Sequence, residues 1–380
     1  MKILIVNNNM EIGGIQKALS NLLEEISEKH SVTLMLFNKQ GGLIDDIPKS
    51  VKIIEGNFFT RIIGMTQADA KKSGFLTFLW RSAWVVATRV LGTKFSFGLL
   101  SKMQKLNEEY DAAVSYMQNS SDKFFYGGCN EFVLNGVKAK KKISFVHCDF
   151  MDYEGNNLYN RSLYEKFDAI ACVSDSCKKK FLAVCPEVKD KTYTVYNVHG
   201  FRKMDLLADE YAVEKPDGKM IFTSARISEE KGIMRVIPAL GRIKKDGGNF
   251  VWYIAGDGPL MEKAREEANS CGVEKDIVFL GMKSNPYPYF KNADVLLVPS
   301  YNEAAPMVFG EAIHFGTPVI TTETSSAKEL CEGYGVITEN TDDAIEKALR
   351  EFILENKEIK ISAGELTNER ALEEFEKILW

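Results

Sequence analysis

The sequence is short of histidine, with four in 380 residues, and of proline, with ten. Its seven cysteines form no C-x-x-C pair, and no Asp-x-Asp triplet occurs anywhere. A zinc site built from His and Cys therefore has little to draw on. The odd cysteine count, with thiols such as Cys172 inside the apolar run AIACVS, fits free buried thiols in a reducing compartment better than a disulfide framework. No uncharged apolar run reaches the roughly 18 residues that would signal a membrane-spanning helix. The start, MKILIVNNN, lacks a signal peptide's apolar region, so a cytoplasmic chain is expected. The G-x-G-x-x-G fingerprint is also missing, which disfavours a dinucleotide oxidoreductase.

What is present is ordinary in bulk: 45% hydrophobic residues, 27% charged and a net charge of −5. These values exclude a collagenous or wholly disordered chain and argue against a dedicated nucleic-acid binder. The net charge hides an asymmetry. Residues 56–107 hold Arg61, Lys71, Lys72, Arg81, Arg89, Lys94, Lys102 and Lys105 against the single acid Asp69. This segment is +7, which leaves −12 for the rest of the chain.

Along the chain one rhythm repeats: apolar run, turn, amphipathic helix. KILIVN (2–7), SVTLMLFN (31–38), VKIIEG (51–56), YDAAVSYM (110–117), KISFVHC (142–148), DAIACVS (168–174) and TYTVYN (192–197) read as strands. The first leads into a helix over 15–29. After a polar connector at 200–218 the rhythm restarts with strands at 219–227, 250–258, 276–281, 294–300, 318–323 and 334–340. Helices are expected at 233–245, 259–271, 306–316 and 342–356. Near-continuous Val/Ile/Leu runs suit parallel sheets covered on both faces. Two such series predict an α/β chain of two doubly wound, Rossmann-like domains facing across a cleft, at 1–200 and 201–360. Residues 361–380 read as one further amphipathic helix, expected to pack back toward the N-terminal domain.

Three stretches carry candidate chemistry. In NNNMEIGGIQKAL, Gly13 and Gly14 stand just before a helix, where exposed amides and the helix dipole suit an anion. A tight turn needing positive φ is the alternative. In SARISEEKG, Arg226 and Lys231 lie between a strand and a helix, as cations for a diphosphate would, or as two solvated charges. In NEAAPMVFGEAIHFGTPVI, Pro306 fits the first turn of a helix, and the Met307 and Val308 amides would face an anion. Glu303 precedes that helix and Glu311 sits inside it, eight residues on, in a largely apolar context. Carboxylates so placed can hold sugar hydroxyls.

Taken together these motifs resemble the retaining, nucleotide-sugar-dependent glycosyltransferases of family 4, with the GT-B fold. The E-x7-E motif is Glu303 to Glu311, and R-x4-K-G is Arg226 to Gly232. IAGDGP (254–259), FLG (279–281), ADVLLVPS (293–300) and GTPVI (316–320) follow in order. The resemblance covers essentially the C-terminal half. In the N-terminal half it rests on Gly13-Gly14, His147 and VSDS (173–176), and Ala304 replaces a glycine carried by many members.

The resemblance implies that Arg226 and Lys231 bind the donor diphosphate, Glu311 holds the ribose and Glu303 contacts the donor sugar or its neighbouring backbone. Gly13, Gly14, Gly256, Pro306, Met307 and Val308 would complete the donor cradle, with Gly281 and Met282 near the base. His147 would sit near the reacting sugar, unless it is a packed core histidine. The resemblance further implies a UDP-sugar in preference to other donors, and retention at the anomeric carbon. With no Asp-x-Asp pair to hold a metal, cations and helix amides are expected to stabilise the leaving diphosphate without a metal or other cofactor.

The acceptor must be argued from elsewhere. In FLTFLWRSAWVVATRVLGTKFSFGLL (75–100), Leu76, Leu79, Trp80, Ala83, Trp84, Ala87, Val90 and Leu91 follow helical spacing, with Arg81 and Arg89 expected on the other side. A basic helix with Trp and Leu on its apolar face suits an anionic membrane surface, and a core-packed helix is the alternative. The membrane reading points to a glycan or polyprenyl-linked acceptor at the cytoplasmic face, in polysaccharide or glycoconjugate assembly. Two rivals stay open: a soluble transferase acting on a small molecule, and a silent nucleotide-sugar-binding partner subunit.

Overall fold

The computed structural model describes residues 1–362 and 366–380. Among these the chain divides into two compact units, Met1–Val198 with Asn368–Trp380, and His199–Thr367.

The first unit holds strands β1 (Lys2–Asn7), β2 (Ser31–Leu36), β3 (Lys52–Glu55), β4 (Glu109–Ser115), β5 (Lys138–Val146), β6 (Ala169–Cys172) and β7 (Thr192–Thr194). They form one sheet in the order β3-β2-β1-β4-β5-β6-β7. The second unit holds β8 (Lys219–Ser224), β9 (Phe250–Ala255), β10 (Ile277–Gly281), β11 (Val295–Val298), β12 (Val319–Thr322) and β13 (Gly335–Thr338), ordered β10-β9-β8-β11-β12-β13. All strand pairings in both sheets are parallel. The central apolar runs that predict strands are buried, Ile3–Val6 and Val295–Leu297 completely, while the edge strands β3, β10 and β13 are largely half-buried. That burial is what helices on both faces of a parallel sheet require.

Each sheet reverses its order once, between β1 and β4 in the first unit and between β8 and β11 in the second. Loops leaving neighbouring strands at such a reversal diverge to opposite faces and leave a crevice at the carboxyl ends.

Several elements differ from the sequence reading. Strand β5 starts at Lys138, four residues early, because the cationic run AKKK alternates on the pleat. Its Lys140 pairs with Asp111 at 2.7 Å, and Lys142 Nζ donates to the Leu134 carbonyl at 2.9 Å. The connector at 200–218 contains a helix, Phe201–Ala208, which buries Met204 and Ala208, four apart on one face. The short helices Tyr287–Asn292 and Ala327–Cys331 give too few residues for a periodic signal. The final helix spans Glu369–Leu379 rather than 361–380; residues 361–362 are irregular, and 363–365 lie outside the described residues. It packs within the first unit. Glu376 Oε1 meets His30 Nε2 at 2.8 Å, Glu374 Oε2 accepts from the Tyr196 amide at 3.2 Å, and Phe375 lies 6.3 Å from Phe145 between ring centres.

The second unit's loops are drawn together by backbone contact. Gly256 has φ +154°, and a Cβ there would stand 1.8 Å from the Ala225 carbonyl oxygen. Its amide donates to the Gly281 carbonyl at 2.8 Å, while Ile227 N donates to the Asp257 carbonyl at 3.0 Å. Gly232 has φ +67°, and a Cβ would stand 2.0 Å from the Pro299 oxygen. The loops after β8, β9 and β11 therefore meet through main chain, with no room for a side chain at Gly256 or Gly232, and β10 joins them through the Gly281 carbonyl.

Gly256→Ala is expected to lower the second unit's stability by about 1–3 kcal/mol or more through overpacking. Gly247→Ala supplies the control: φ is +92° there and nothing lies within 4 Å, so only backbone strain is added. Calorimetric melting of the two variants checks this, and equal melting temperatures would contradict it.

Candidate functional site

In the second unit the candidate donor residues lie on both sides of the β8/β11 reversal. Arg226 and Lys231 follow β8, and Glu303 follows β11. Arg226 is exposed and Lys231 half-buried. The Tyr301 amide donates to the Glu230 carbonyl at 2.9 Å and fastens one loop to the other.

Across this join, Lys231 Nζ donates to Glu303 Oε1 at 2.6 Å. The Ser300 hydroxyl donates to the same oxygen at 2.8 Å. The Ser325 and Ser326 hydroxyls donate to the Glu303 backbone carbonyl at 2.9 and 3.2 Å. Glu303 is thus held through both its side chain and its main chain. An ammonium has three protons to donate, so one bond to Glu303 orients Lys231 and leaves capacity for an anionic ligand. Next to the pair, burial raises the Glu230 carboxyl's affinity for protons. The Ser228 hydroxyl, its own amide, Lys231 and Arg226 outweigh that effect and hold it below the usual range.

The helix Met307–His314 follows. Pro306 stands at its N-cap, with ψ 125°, one residue before the first turn where the sequence reading set it. The amides of Met307 and Val308 open the helix, where no preceding helical carbonyl can accept them. Glu311 lies in this helix and is only 2% exposed, in place of the solvated position a surface helix would give it. Gly310 beside it packs on the His199 ring, which a Cβ would approach to 2.2 Å. Met282, after β10, is exposed, and Gly281 has φ +68°.

In the first unit, Gly13 is the N-cap of the helix Gly14–Ile26. Its φ of −167° is ordinary extended backbone, so the glycine pair is not explained by a left-handed turn. His147 follows β5. Its ring lies 4.7 Å from Tyr116 and 5.5 Å from Phe145 between centres. Burial pushes its pKa down to about 3, against an opposing bond to the Tyr116 backbone. The ring is neutral at physiological pH, and its Nε2 is buried without a hydrogen-bond partner.

The basic helix corrects the sequence reading. It spans Phe75–Leu91, and its inward residues are Thr77, Arg81, Trp84 and Thr88. Arg81, expected on the outer face with Arg89, is buried. Its Nε donates to the Met65 carbonyl at 2.9 Å, Nη1 donates to Gln67 Oε1, and the guanidinium lies over Phe125. These bonds make burial of the charge tolerable. Trp84 is buried too, and Trp80, half-buried, lies against Phe58, Phe59 and Trp84. The expected apolar stripe is split, because Leu76, Leu79, Val90 and Leu91 face outward beside the exposed Arg89.

The sequence reading missed Ser300, Ser325, Ser326 and His199. Ser300 lies inside the motif ADVLLVPS and was within reach of that reading; the other three carry no local pattern. Among the described residues, no group of three or more His, Cys, Asp or Glu could hold a metal ion. None of their helices is long and apolar enough to cross a membrane.

His147 makes stability depend on pH. Its folded pKa lies below the 6.5 of an ordinary histidine, so the unfolded chain takes up the proton first. Its contribution is complete above pH 6.5 and is lost as pH falls from there toward 3. His147→Gln is expected to flatten the fall of the urea midpoint over that range; a wild-type fall in the variant would contradict this.

Residues 209–365 match the family described as glycosyl transferases group 1. An uncharacterized glycosyltransferase of Methanocaldococcus jannaschii is 28% identical over 176 residues, 44% of this chain and 43% of that protein. The alpha-monoglucosyldiacylglycerol synthase of Streptococcus pneumoniae is 32% identical over 104 residues, 27% of this chain and 24% of that protein. The matches thus span less than half the length of these two relatives. Anabaena HepE, solved with UDP and glucose, superposes with a TM-score of 0.63 at 16% identity, over 93% of this chain and 89% of that one. The chain therefore has the GT-B fold of two Rossmann-like domains, and its residues 209–365 match the glycosyl transferases group 1 family.

Proposed function

We propose that the chain is a glycosyltransferase that moves a sugar from a nucleotide-sugar, in first place a UDP-sugar, to a glycan or lipid-linked glycan at the cytoplasmic membrane face. The single observation that carries the donor side is the Lys231–Glu303 bond at the β8/β11 reversal, four residues of chain before the helix that Met307 and Val308 open. A cation fixed by a carboxylate, beside a helix N-terminus, suits a diphosphate whose sugar lies near that carboxylate. The UDP bound to Anabaena HepE supports the choice of nucleotide.

In this reading the second unit binds the donor and the first receives the acceptor. When the sugar C1–O bond breaks, the electron pair stays on the nucleoside diphosphate. Arg226, the remaining protons of Lys231 and the Met307 and Val308 amides stabilise that charge, so no metal or cofactor is needed. Glu311 binds the ribose, and Glu303 the donor sugar. The acceptor hydroxyl attacks from the face the phosphate leaves and gives its proton to a phosphate oxygen, which retains the anomeric configuration. His147, neutral, acts as a hydrogen-bonding group rather than as an acid.

The acceptor side rests on the outward face of Phe75–Leu91 and the following helix, Thr93–Leu100. Phe75, Leu76, Val86, Val90 and Leu91 are exposed there with Arg89 and Lys94. No acid occurs between Asp69 and Glu108. Apolar side chains ringed by unopposed cations suit an anionic lipid surface. The lipid product in the name of the pneumococcal relative agrees with that setting.

With a UDP-sugar that is turned over, Glu311→Ala is expected to weaken donor binding. Lys231→Ala should lower kcat by about 10²–10³-fold, and EDTA should leave the rate unchanged. Wild-type kinetics in both variants would overturn the site, and tight UDP binding with no turnover of any donor would favour a silent partner subunit. Vesicles containing phosphatidylglycerol should sediment the protein in a salt-sensitive way. Arg89→Glu with Lys102→Glu and Lys105→Glu should abolish that, and binding that is unchanged by salt and substitution would refute the membrane reading.

A further inference from the structure

The first unit contains a cavity of about 510 Å³ that belongs to none of the donor machinery. It is bounded by the junction of helices Phe75–Leu91 and Thr93–Leu100, by the loop after β4, and by the loop after β5 with the start of helix Leu158–Tyr164. Both loops leave the carboxyl edge of the sheet, the edge at which doubly wound domains bind ligands.

Its polar lining is cationic. Lys94, Lys123 and Arg161 line it, and none of the three has a carboxylate within ion-pair distance among the described residues. The Arg161 Nε donates to Asn156 Oδ1 at 2.8 Å, which fixes the guanidinium in place. Among the described residues the one acid in the lining is Asp122, whose backbone carbonyl accepts from the Thr93 amide at 2.9 Å.

Two further groups point to a ligand. Thr93 is 1% exposed, lines the cavity, and its Oγ1 has no hydrogen-bond partner. Asn157 caps the helix Leu158–Tyr164 by accepting from Asn160 N at 2.9 Å, while its Nδ2, buried, has no partner. Buried donors left unmatched are costly, and a native fold rarely keeps two in one place without use. Three unpaired cations and two unmatched donors, spread around one space, suit a tetrahedral group with several acceptor oxygens and more than one negative charge.

The rim differs in character. Leu91 and Leu158 line it and are 56% and 82% exposed. Leu91 continues directly into the outward apolar row of Val90 and Val86. We propose that this cavity binds the phosphate or diphosphate headgroup of an amphiphilic acceptor, whose hydrocarbon lies along that row. The inference rests on the lipid-linked acceptor reading above and gives it a site: the headgroup is read by Lys94, Lys123, Arg161, Thr93 and Asn157, separately from the donor diphosphate.

Calorimetric titration of the full chain tests this, with UDP present in excess to fill the donor site. Farnesyl diphosphate, inorganic pyrophosphate and farnesol are the probes. Farnesyl diphosphate is expected to bind with UDP in place, with pyrophosphate about tenfold weaker and farnesol weaker still. Lys94→Glu with Lys123→Glu, two exposed positions, should weaken both diphosphates about tenfold or more while leaving UDP affinity and the melting temperature unchanged. Wild-type affinity in that variant would overturn the proposal, as would displacement of UDP by farnesyl diphosphate. Pyrophosphate binding as tightly as the prenyl ester would make this a site for free phosphate, and farnesol binding as tightly would remove the headgroup role; either result overturns the assignment. If UDP itself does not bind, the donor reading fails, and the same titrations without UDP still decide the cavity.

Discussion

The space beside Gly256 decides the rest of the second unit. Its α-carbon lies so near the Ala225 carbonyl that no methyl group fits, and Gly232 stands in the same relation to Pro299. Through these approaches the loops after β8, β9 and β11 share one main-chain framework. Lys231 and Glu303, which are 72 residues apart, can then be bonded at 2.6 Å. Long flexible side chains reaching across open space would lose more rotamer freedom for the same bond. Here the backbone supplies the order and the side chains need only adjust. The serines that hold Glu303 act in the same way, since two of them grip its carbonyl rather than its carboxylate.

Charge in the first unit follows a different rule. The acid-free stretch from Ala70 to Asn107 keeps its cations from pairing with near neighbours in sequence. Arg81 solves this by turning inward to carbonyl and amide oxygens, while Arg89 and Lys94 remain outside. The helix is therefore neither a plain core helix nor a simple amphipath. A polar, hydrogen-bonded row faces inward, and much of the aliphatic surface faces solvent.

The sheets were legible from sequence because buried parallel strands carry an unbroken apolar signal, and every strand run from KILIVN to YGVITEN lies in one. The placing of Arg226, Lys231 and Glu303 in loops after strands, and of Glu311 inside the following helix, was legible because each follows closely on a clear apolar strand run. The facing of helix Phe75–Leu91 was not. Hydrophobicity alone places Leu76 and Val90 inside, but the bonds available to Arg81 and the edge-on packing of Trp84 against Trp80 set the rotation. The helix Phe201–Ala208 was hidden by charges on its outer side. The cavity at Thr93 was illegible for a further reason: its lining comes from three stretches of chain that no local pattern connects.

The last helix has a consequence for the order in which the molecule is made. Residues 368–380 belong to the unit that begins at Met1, where Phe375 meets Phe145 and Glu376 meets His30. A ribosome releases the chain from its amino end, so all seven strands of the first sheet emerge before the helix that covers part of it. The second unit, continuous from His199 to Thr367, is synthesised in between. The unit made first is thus the last to be finished. Until its final helix arrives it presents an uncovered apolar patch around Phe145, an interval in which a nascent chain is open to chaperones and to misassociation.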